Sequence, residues 1–374
     1  MVRRVFVLVA LVSLSSLPVL AQGQGPGTQG GTWRFAVSGD SRNCGDVVMP
    51  AIAAGALANQ VAFYWHLGDL RKMYDFDEDM QHETEYRARA MSIFEYHAGA
   101  WDDFIANQIA PFGSTPFVVS IGNHELIPPK TRDEFIAQFG DWLGSPTLKA
   151  QRLADNPQDH RLKTYFHWLE RGVDFISLDN ASGDQFDTPQ LKWFKGVLER
   201  DLENPAVRTL VDGMHRALPE SISFGHGMNE SAQGTESGRS VYGALLRARS
   251  DGHKNVYVLA SHSHTYIDGI FNTEYWRSHG GVLPGWIVGT AGAVRYPLPS
   301  DTKDARAAET NVYGYMLGTV ANDGTVSFEF RRVAETDVPG YVLERFTPEF
   351  VHWCFEKNTG APATQAMGTS TAAP

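Results

Sequence analysis

The sequence predicts an α/β fold in which polar loops follow the carboxyl ends of buried parallel strands. Three apolar runs each end in a short polar motif: Gly-Asp-Ser-Arg at 39–42, Gly-Asp-Leu at 68–70 and Gly-Asn-His-Glu at 122–125. A stretch with helical spacing separates the first two runs. A strand–helix–strand order makes the two strands parallel, with a right-handed crossover. Loops after parallel strands open at one edge of the sheet, where such folds place their ligands.

The composition fits a globular protein and argues against one class of partner. The chain has 374 residues, of which 43% are hydrophobic and 20% charged, enough to bury a large core. The formal net charge is −11 and no cluster of Lys and Arg stands out, so we expect no binding of duplex nucleic acid. A small anionic substrate is compatible with this charge, because a bound cation dominates the field of its own pocket.

The first residues have the pattern of a signal peptide, which we place at 1–21. Arg3 and Arg4 precede an apolar stretch, and Val19 and Ala21 give the small-residue pattern of a cleavage site. The stretch is short and interrupted by serines, which disfavours the alternative of an uncleaved membrane anchor. We therefore expect an exported protein, periplasmic or extracellular, without a membrane span after cleavage.

The chain has two cysteines, Cys44 and Cys354. An even number of cysteines in an oxidising compartment permits a disulfide. The two residues lie near opposite ends of the chain, so their pairing depends on whether these ends meet in the fold. The paired-cysteine spacing of a zinc site is absent from the sequence.

The amino-terminal half of the globular part predicts a strand–helix–strand unit and a third strand. A Gly/Gln-rich flexible leader at 22–32 precedes this unit. The predicted elements are strand Trp33–Ser38, helix Val47–Ala58, strand Val61–Leu67, one or two helices within Asp77–Gln108, and strand Pro116–Ile121. An insertion at Thr131–Ala150, with a helix near Asp133–Phe139, follows the third strand.

The carboxyl-terminal half continues the alternation of strands and helices. The predicted elements are the strand pair Thr164–Trp168 and Val173–Leu178, helix Gln190–Asn204, strand Arg208–Asp212, a loop at Phe224–Ser237, helix Arg239–Arg249, strand Val256–Leu259, and a hairpin of Tyr313–Val320 and Val326–Val333. The turn of the hairpin contains a favoured Asp-Gly pair. The predicted organisation is a globular domain at 33–335, an extension at 336–357 and a disordered tail at 358–374.

Asp40 and Asp69 each follow a glycine at a predicted strand end. Glycine lets the backbone turn sharply and approach a metal closely. A single Gly-Asp is more often only a turn, but two of them at successive strand ends of one unit favour a pair of metal ligands. Asp69 is the better candidate for a bridging ligand, because a carboxylate can share its two oxygens between two ions.

The Gly-Asn-His-Glu motif supplies three further candidates. Asn123 offers a neutral amide oxygen, which a hard or borderline cation accepts. His124 can face the substrate, where it would protonate a leaving oxygen or stabilise charge on a phosphoryl group. Glu125 can orient His124 as a hydrogen-bond partner. Each residue alone would fit a turn or a helix cap, whereas the whole motif in this position favours a site.

Three later histidines complete the candidate metal ligands. His262 and His264 are two residues apart, so an extended segment places both side chains on one face. His215 follows another apolar strand. Together with the two Asp and the Asn they make a site for two metal ions, divalent or trivalent, which we expect to be Zn, Mn or Fe. His66 lies within a strand and is expected in the core, whereas His226 is a candidate for the pocket wall.

The order of these motifs resembles that of the calcineurin-like metallophosphoesterase superfamily, which includes a purple acid phosphatase-like branch. The resemblance extends from about Trp33 to Val333. It implies a four-layer sandwich of two packed mixed β-sheets flanked by helices, with a dimetal site at the carboxyl edge of the strands. It also implies His124 as the catalytic histidine. The metal ligands that it implies are Asp40, Asp69, Asn123, His215, His262 and His264.

The sequence departs from the family pattern at the first metal ion. Arg42 stands where many members have a His ligand, and Lys72 stands where purple acid phosphatase-like members have a Tyr. Tyr74 or water could complete this shell. Arg42 could bind a substrate phosphate as a two-pronged donor, or it could form a surface salt bridge. A milder departure is Ser261, in place of the Gly that begins the last family motif.

We therefore expect an exported dimetal phosphoesterase that acts on a small phosphate ester. A hydroxide held between the metals would attack phosphorus, with His124 assisting and Arg42 as a further catalytic candidate. Two alternatives stay open: a phosphodiesterase or nucleotidase of the same superfamily, and a non-catalytic member that binds metal or phosphate. The incomplete first metal shell favours the non-catalytic alternative, and the presence of His124 argues against it. The sequence indicates no oligomeric state.

Overall fold

Two β-sheets packed face to face, with helices on their outer faces, make up the part of the chain that the structure describes. The computed structural model describes residues 31–84, 86, 89–183, 185–223 and 225–360. The predicted signal peptide, nearly all of the leader and residues 361–374 lie outside the described residues. The main compact unit begins at Thr32. No helix in the described ranges combines the length and the apolar character that crossing a membrane requires.

Strands and helices alternate along the chain, as the sequence predicts. The strands are β1 (Trp33–Ser38), β2 (Tyr64–His66), β3 (Phe117–Val119), β4 (Phe166–Glu170), β5 (Val173–Leu178), β6 (Thr209–Met214), β7 (Asn255–Ala260), β8 (Tyr266–Asp268), β9 (Gly285–Val288), β10 (Ala307–Glu309), β11 (Tyr313–Val320) and β12 (Val326–Val333). The α-helices are α1 (Gly45–Ala58), α2 (Glu78–His82), α3 (Ile93–Phe104), α4 (Arg132–Gln138), α5 (Gly140–Leu143), α6 (Pro146–Asp155), α7 (Thr188–Glu203), α8 (Ala232–Ser250), α9 (Glu274–Ser278), α10 (Val342–Arg345) and α11 (Pro348–Glu356). Short 3₁₀ or π turns occupy Ile105–Ile109, Ala110–Phe112, His124–Leu126, Met228–Glu230, Thr302–Asp304 and Glu335–Asp337.

Both sheets combine parallel and antiparallel strand pairs. The first sheet has five strands in the order β12-β11-β1-β2-β3, of which β1, β2 and β3 run parallel. The second sheet has seven strands in the order β10-β8-β9-β7-β6-β5-β4, with β5, β6, β7 and β9 parallel. Both sheets are therefore mixed, and the predicted fold class is confirmed.

Side chains that alternate along the strands build the layers. In β1, Phe35 and Val37 face the second sheet, whereas Ala36 belongs to the hydrophobic cluster that contains α1. In β7, Leu259 faces the first sheet, whereas Val258 belongs to the cluster with α7 and α8. Each sheet is thus covered on one face by the other sheet and on the other face by helices, which gives four layers.

Aromatic side chains fill the space between the sheets. Phe35 meets Phe175 edge to face, with ring centroids 4.9 Å apart, and Trp65 meets Trp168 in the same way at 5.3 Å. Trp65 also reaches β6, where a Cβ atom on Gly213 would lie 2.2 Å from its Cη2 atom. Gly213 therefore allows an approach between the two sheets that any larger residue would prevent.

Most predicted elements are confirmed, and the differences have physical reasons. The strand Val173–Leu178 has the predicted bounds, and His66 in β2 is fully buried, as predicted. The prediction lacks β8, β9 and β10, which have only three or four residues each. Strands β2 and β3 are as short, but the polar motifs that follow them marked their ends. The predicted loop at Phe224–Ser237 is wrong from Ala232 onwards, where α8 begins.

Small residues conceal the first turns of α8 in the sequence. Ser231 caps the helix by accepting a hydrogen bond from the N–H of Gly234 at 2.9 Å. A Cβ atom on Gly238 would lie 2.3 Å from Cδ of Pro219, so a glycine is needed at this position. Glycine has a low helix propensity, and local propensity therefore predicts a loop where tertiary packing favours a helix.

The carboxyl-terminal extension packs against the start of α1. Cys354, in α11, forms a disulfide with Cys44, the residue that precedes α1. Asn358 is 2% exposed and donates hydrogen bonds to the carbonyl of Gly292 at 3.1 Å and to the hydroxyl of Tyr313 at 2.8 Å. The predicted start of the disordered tail at residue 358 is therefore too early, since Asn358 is packed on the domain.

Gly213→Ala is expected to lower the free energy of unfolding by about 1–3 kcal/mol, because the added methyl group would overlap the Trp65 ring. Urea denaturation followed by tryptophan fluorescence measures this change. Gly243→Ala, in α8, is the matched control, since its Cβ would come no closer than 3.6 Å to the end of the Arg247 side chain. We expect the control to be as stable as the wild type or slightly more stable. Equal stability of the two variants would contradict the close packing at Gly213.

Candidate metal centre

The carboxyl ends of strands from both sheets meet at one edge, and the predicted ligands lie there. Asp40 follows β1, Asp69 follows β2 and Asn123 follows β3 of the first sheet. His215 follows β6 and His262 follows β7 of the second sheet. The N–H of His262 donates to Oδ2 of Asp40 at 2.7 Å although the two residues are 222 positions apart. The fold therefore brings together the residues that the sequence motifs identify.

Unusual backbone conformations and two glycines shape these loops. Asp40, Asp69 and His262 have φ angles of 61°, 59° and 65°, a region that residues with a side chain rarely adopt. A Cβ atom on Gly68 would lie 2.4 Å from the backbone nitrogen of Gly122, and a Cβ atom on Gly122 would lie 2.4 Å from Oδ1 of Asp69. The second and third motifs thus touch through their glycines. Strained backbone of this kind concentrates at functional sites.

Four buried side chains place ligand atoms around a common position. One ligand atom from each of Asp40, Asp69, His215 and His262 lies within 4.8 Å of the other three; we call these residues the metal cluster. Nε2 of His215 lies 2.9 Å from Nδ1 of His262 and 3.2 Å from Oδ1 of Asp69. It also lies 3.0 Å from Oδ1 of Asn123. Imidazole and oxygen ligands in this combination suit Zn, Mn or Fe.

Unpartnered oxygens and a fixed ring orientation fit a bound metal ion. Within the described part of the chain, Asp40 Oδ1 and Asp69 Oδ2 are buried and have no hydrogen-bond partner. Burying a carboxylate oxygen without a partner is costly. Nδ1 of His215 faces the carbonyl of Leu67 at 3.0 Å; a carbonyl only accepts, so the proton is on Nδ1 and the lone pair of Nε2 faces the cluster.

Arg42 lies beside the metal cluster, on the side of His264. Its Nη2 is 2.7 Å from Nε2 of His264 and 3.8 Å from Oδ2 of Asp69. Its Nη1 contacts Nε2 of His124. Nε2 of His264 also lies 3.2 Å from Oδ1 of Asp40. Arg42 is only 5% exposed, which excludes the surface salt bridge that the sequence left open for it.

The backbone fixes the ring of His124 next to the cluster. Nδ1 of His124 lies 2.6 Å from the carbonyl of Lys72, so Nε2 is the atom that faces the centre. Nε2 lies 3.6 Å from Oδ2 of Asp69. The N–H of His124 donates to Oδ1 of the same carboxylate at 3.0 Å. Lys72 thus orients His124 through its carbonyl oxygen, while its ammonium group lies 3.2 Å from Glu78.

Glu125 has a different partner from the one predicted. Its carboxylate accepts hydrogen bonds from the N–H groups of Asp69 and Leu70, both at 2.9 Å, and of Gly122 at 2.7 Å. The prediction that Glu125 orients His124 is therefore wrong. A charge-assisted contact with three backbone donors instead ties the second and third motif loops together. Sequence spacing does not reveal this role, because two of the three donors, Asp69 and Leu70, come from a different loop.

Neighbouring charges keep the central carboxylate ionised. Burial alone would raise the pKa of Asp69, but His124 and His215 hold this pKa well below its usual range. Burial lowers the pKa of His124 to about 4, against the opposing effect of Asp69. Burial raises the pKa of Glu125 to about 7, and the charge of Asp69 adds to this rise. At neutral pH Asp69 therefore offers a full negative charge to a cation.

Aromatic rings that the motifs did not indicate line one wall of the site. Tyr296 stacks on His264 with ring centroids 4.1 Å apart and on His226 with centroids 5.5 Å apart. Nδ1 of His226 lies 3.3 Å from Nε2 of His262, so His226 lies at the pocket wall, as predicted. Tyr296 belongs to a long loop without a motif, and nothing in the sequence pointed to it.

Two further side chains lie at the rim. Arg216, which directly follows His215, pairs with Glu230 at 2.8 Å. Burial, His215 and Arg216 together lower the pKa of His262 well below its usual value. The position of Arg216 after a ligand histidine was the available signal in the sequence. Tyr74 is 63% exposed, and its ring centroid lies 5.3 Å from that of His124.

Comparison with known proteins identifies the fold. No protein-family model and no curated protein matches the sequence. A purple acid phosphatase from yellow lupin (Lupinus luteus) seeds matches with a TM-score of 0.54 and 19% identity, over 82% of this chain and 52% of that chain. The structure of PhoD matches with a TM-score of 0.50 and 15% identity, over 83% of this chain and 73% of that chain. This chain has the calcineurin-like metallophosphoesterase fold. It spans about half the length of the lupin enzyme.

In this metallophosphoesterase fold, removal of a predicted ligand is expected to weaken metal binding. His215→Ala and Asn123→Ala should each lower the affinity for Zn²⁺ or Mn²⁺ by at least about 10-fold, because His215 lies next to Asp69 and Asn123 lies next to His215 at the site. Competition with a chromogenic chelator measures the affinity, and elemental analysis measures the metal content. His160→Ala is the control, since His160 is exposed. Metal binding of either ligand variant at wild-type strength would remove that residue from the ligand set.

Proposed function

We propose that the protein is an exported, metal-dependent phosphoesterase that hydrolyses small phosphate esters. One observation carries the proposal. The metal cluster, with its two unpartnered carboxylate oxygens, lies beside His124 and Arg42 at the strand edge of a metallophosphoesterase fold. The yellow lupin protein with a similar fold is a phosphatase, which supports the same class of reaction for this chain.

The donor set supports a role for metal in the reaction. Asp69, Asn123, His215 and His262 would hold one ion, and Asp40 and His264 are the further ligands predicted for a second. A bound ion of this kind polarises a phosphoryl oxygen and lowers the pKa of a bound water molecule. The mixture of nitrogen and oxygen donors is compatible with Zn, Mn or Fe.

His124 is the proposed acid–base residue. Because Nδ1 is hydrogen-bonded to the carbonyl of Lys72, Nε2 is the atom that would hold or release a proton. Nε2 contacts Arg42 and lies 3.6 Å from Oδ2 of Asp69, so it faces the same space as the ligand atoms. A leaving oxygen hydrogen-bonded to Nε2 would therefore lie next to both the cation and the carboxylate.

The charges around the centre favour a small, strongly anionic substrate. Arg42 is buried at the site, so its permanent positive charge would add to that of a bound cation and attract phosphate oxygens. The chain as a whole carries a net charge of −11, which disfavours long polyanions. We therefore propose a phosphate monoester, with Tyr74 and Tyr296 as the surfaces nearest to its leaving group.

Export is the proposed destination of the protein. The disulfide between Cys44 and Cys354 supports it, because structural disulfides persist in oxidising compartments and are rare in the cytosol. The signal-like first residues point the same way. Expression of the full chain with and without residues 1–21, followed by fractionation and thiol labelling, tests the proposal. An oxidised protein found in the cytosol would contradict it.

His124→Ala is expected to keep its metal and to lose about 10²–10⁴ in kcat, the usual contribution of an acid–base group. Hydrolysis of p-nitrophenyl phosphate measures turnover, and elemental analysis of the same sample measures metal. His160→Ala is the control for the loss of a histidine. A variant that loses metal together with activity would show that His124 is a ligand and not an acid–base group.

The same assay with bis(p-nitrophenyl) phosphate separates the alternatives. A phosphatase turns over the monoester with the higher kcat/KM, whereas a phosphodiesterase of this superfamily prefers the diester. A wild-type protein that binds metal but hydrolyses neither ester, nor a panel of nucleotides, would contradict the proposed function. It would favour the non-catalytic alternative.

A further inference from the structure

We infer that the guanidinium of Arg42 takes the place of one of the two metal ions, so that the protein holds a single ion in the metal cluster. The inference rests on the metal binding proposed above, and it concerns the number of ions. In this role Arg42 neither binds the substrate phosphate nor forms a surface salt bridge.

His264 directs its only free lone pair at Arg42. Nδ1 of His264 lies 2.5 Å from the carbonyl of Val294, and a carbonyl only accepts, so the proton is on Nδ1. Nε2 then carries the lone pair, and Nη2 of Arg42 lies 2.7 Å from it. A metal bound by this lone pair would stand about 2.0–2.1 Å from the nitrogen. The guanidinium and the ion would thus compete for the same place.

His124 contacts the guanidinium of Arg42 in the same way, from the other side. Its Nδ1 faces the carbonyl of Lys72, so Nε2 carries the lone pair, which meets Nη1 of Arg42. Nη2 of Arg42 also lies 3.8 Å from Oδ2 of Asp69. The guanidinium is therefore surrounded by an imidazole nitrogen on each side and by a carboxylate. Two of these three groups, Asp69 and His264, are ligands that the family pattern assigns to the first ion.

The backbone holds Arg42 in this position. The N–H of Asp40 donates to the carbonyl of Gly68 at 3.0 Å, and the N–H of Ser41 donates to the carbonyl of Asp69 at 3.1 Å. The loop that carries Arg42 is thus joined to the loop that carries the central carboxylate. With 5% of its surface exposed, the side chain belongs to the interior of the site.

Charge also opposes a second ion. Arginine keeps its proton in proteins, so its positive charge is permanent. One divalent ion together with the guanidinium already exceeds the negative charge of Asp40 and Asp69. Another divalent ion next to Arg42 would add repulsion that no further carboxylate of the metal cluster offsets.

The metal cluster is complete for one ion without His264. Its four ligand atoms come from Asp40, Asp69, His215 and His262, and Asn123 lies 3.0 Å from Nε2 of His215. Asp40 thus joins the residues that the family pattern assigns to the second ion. A single ion can use both carboxylates, while Arg42 supplies the other positive charge.

Metal titration of the purified full chain tests the inference. After removal of metal, the protein is titrated with Zn²⁺ or Mn²⁺ by calorimetry, and the bound metal is counted by elemental analysis after desalting. We expect one equivalent for the wild type. Arg42→His removes the guanidinium and restores the Asp-x-His pattern, so it should bind two equivalents. Arg239→His is the matched control, since Arg239 forms an exposed salt bridge with Glu220; it should bind one.

His264→Ala provides a second test, and its wild-type arm does not depend on the folding of the Arg42 variant. In the wild-type background it should leave the single equivalent in place, because His264 is engaged with Arg42. In the Arg42→His background it should return the count from two to one. Circular dichroism and the unfolding temperature show whether each variant is folded. If Arg42→His does not fold, Arg42→Gln replaces it, and a second equivalent is again expected.

The outcomes separate this inference from the proposed function. Two equivalents in the wild type, or the loss of an ion in His264→Ala, would overturn the inference, while turnover of a phosphate ester by the same sample would leave the function standing. One equivalent without turnover of any phosphate ester would overturn the function and support the inference. A wild-type protein that binds no metal would overturn both.

Discussion

The carboxylates of Asp40 and Asp69 carry negative charge into a part of the protein from which water is excluded, and an uncompensated buried charge is costly. Much of the surrounding structure supplies that compensation. Backbone N–H groups of His262 and His124 donate to these carboxylates, and the guanidinium of Arg42 lies near Asp69. One oxygen of each carboxylate still accepts no hydrogen bond from the described residues. The centre is therefore built to receive a cation.

The fold decides how these charges meet. Asp40 and Asp69 belong to one sheet, while His215 and His262 belong to the other, so the site exists only when the two sheets pack. The disulfide from Cys44 joins the carboxyl-terminal extension to the residue just before α1. Cys44 is also two residues beyond Arg42, and its N–H donates to the carbonyl of Arg42 at 2.9 Å. The disulfide thus links the extension to the loop that carries Arg42.

Much of the site could be predicted because its residues follow strand ends. A polar residue after an apolar run marks the carboxyl edge of a sheet, and this local pattern located Asp40, Asp69 and Asn123. The contacts of Arg42 and Glu125 could not be predicted in the same way. Each is determined by a partner on another loop, such as His264 for Arg42 and Asp69 for Glu125. The short strands β8 to β10 were not predicted, because their strand conformation depends on pairing with neighbouring strands and not on a pattern in their own residues.

The contact between Trp65 and Gly213 has a consequence for the spacing of the site. Trp65 lies four residues before Asp69 and Gly213 lies two residues before His215, so this contact joins the two strands, one from each sheet, that lead to these residues. Nε2 of His215 and Oδ1 of Asp69 lie 3.2 Å apart where the two strands end. The packing between the sheets thus takes part in holding a carboxylate and an imidazole from opposite sheets at a short distance from each other.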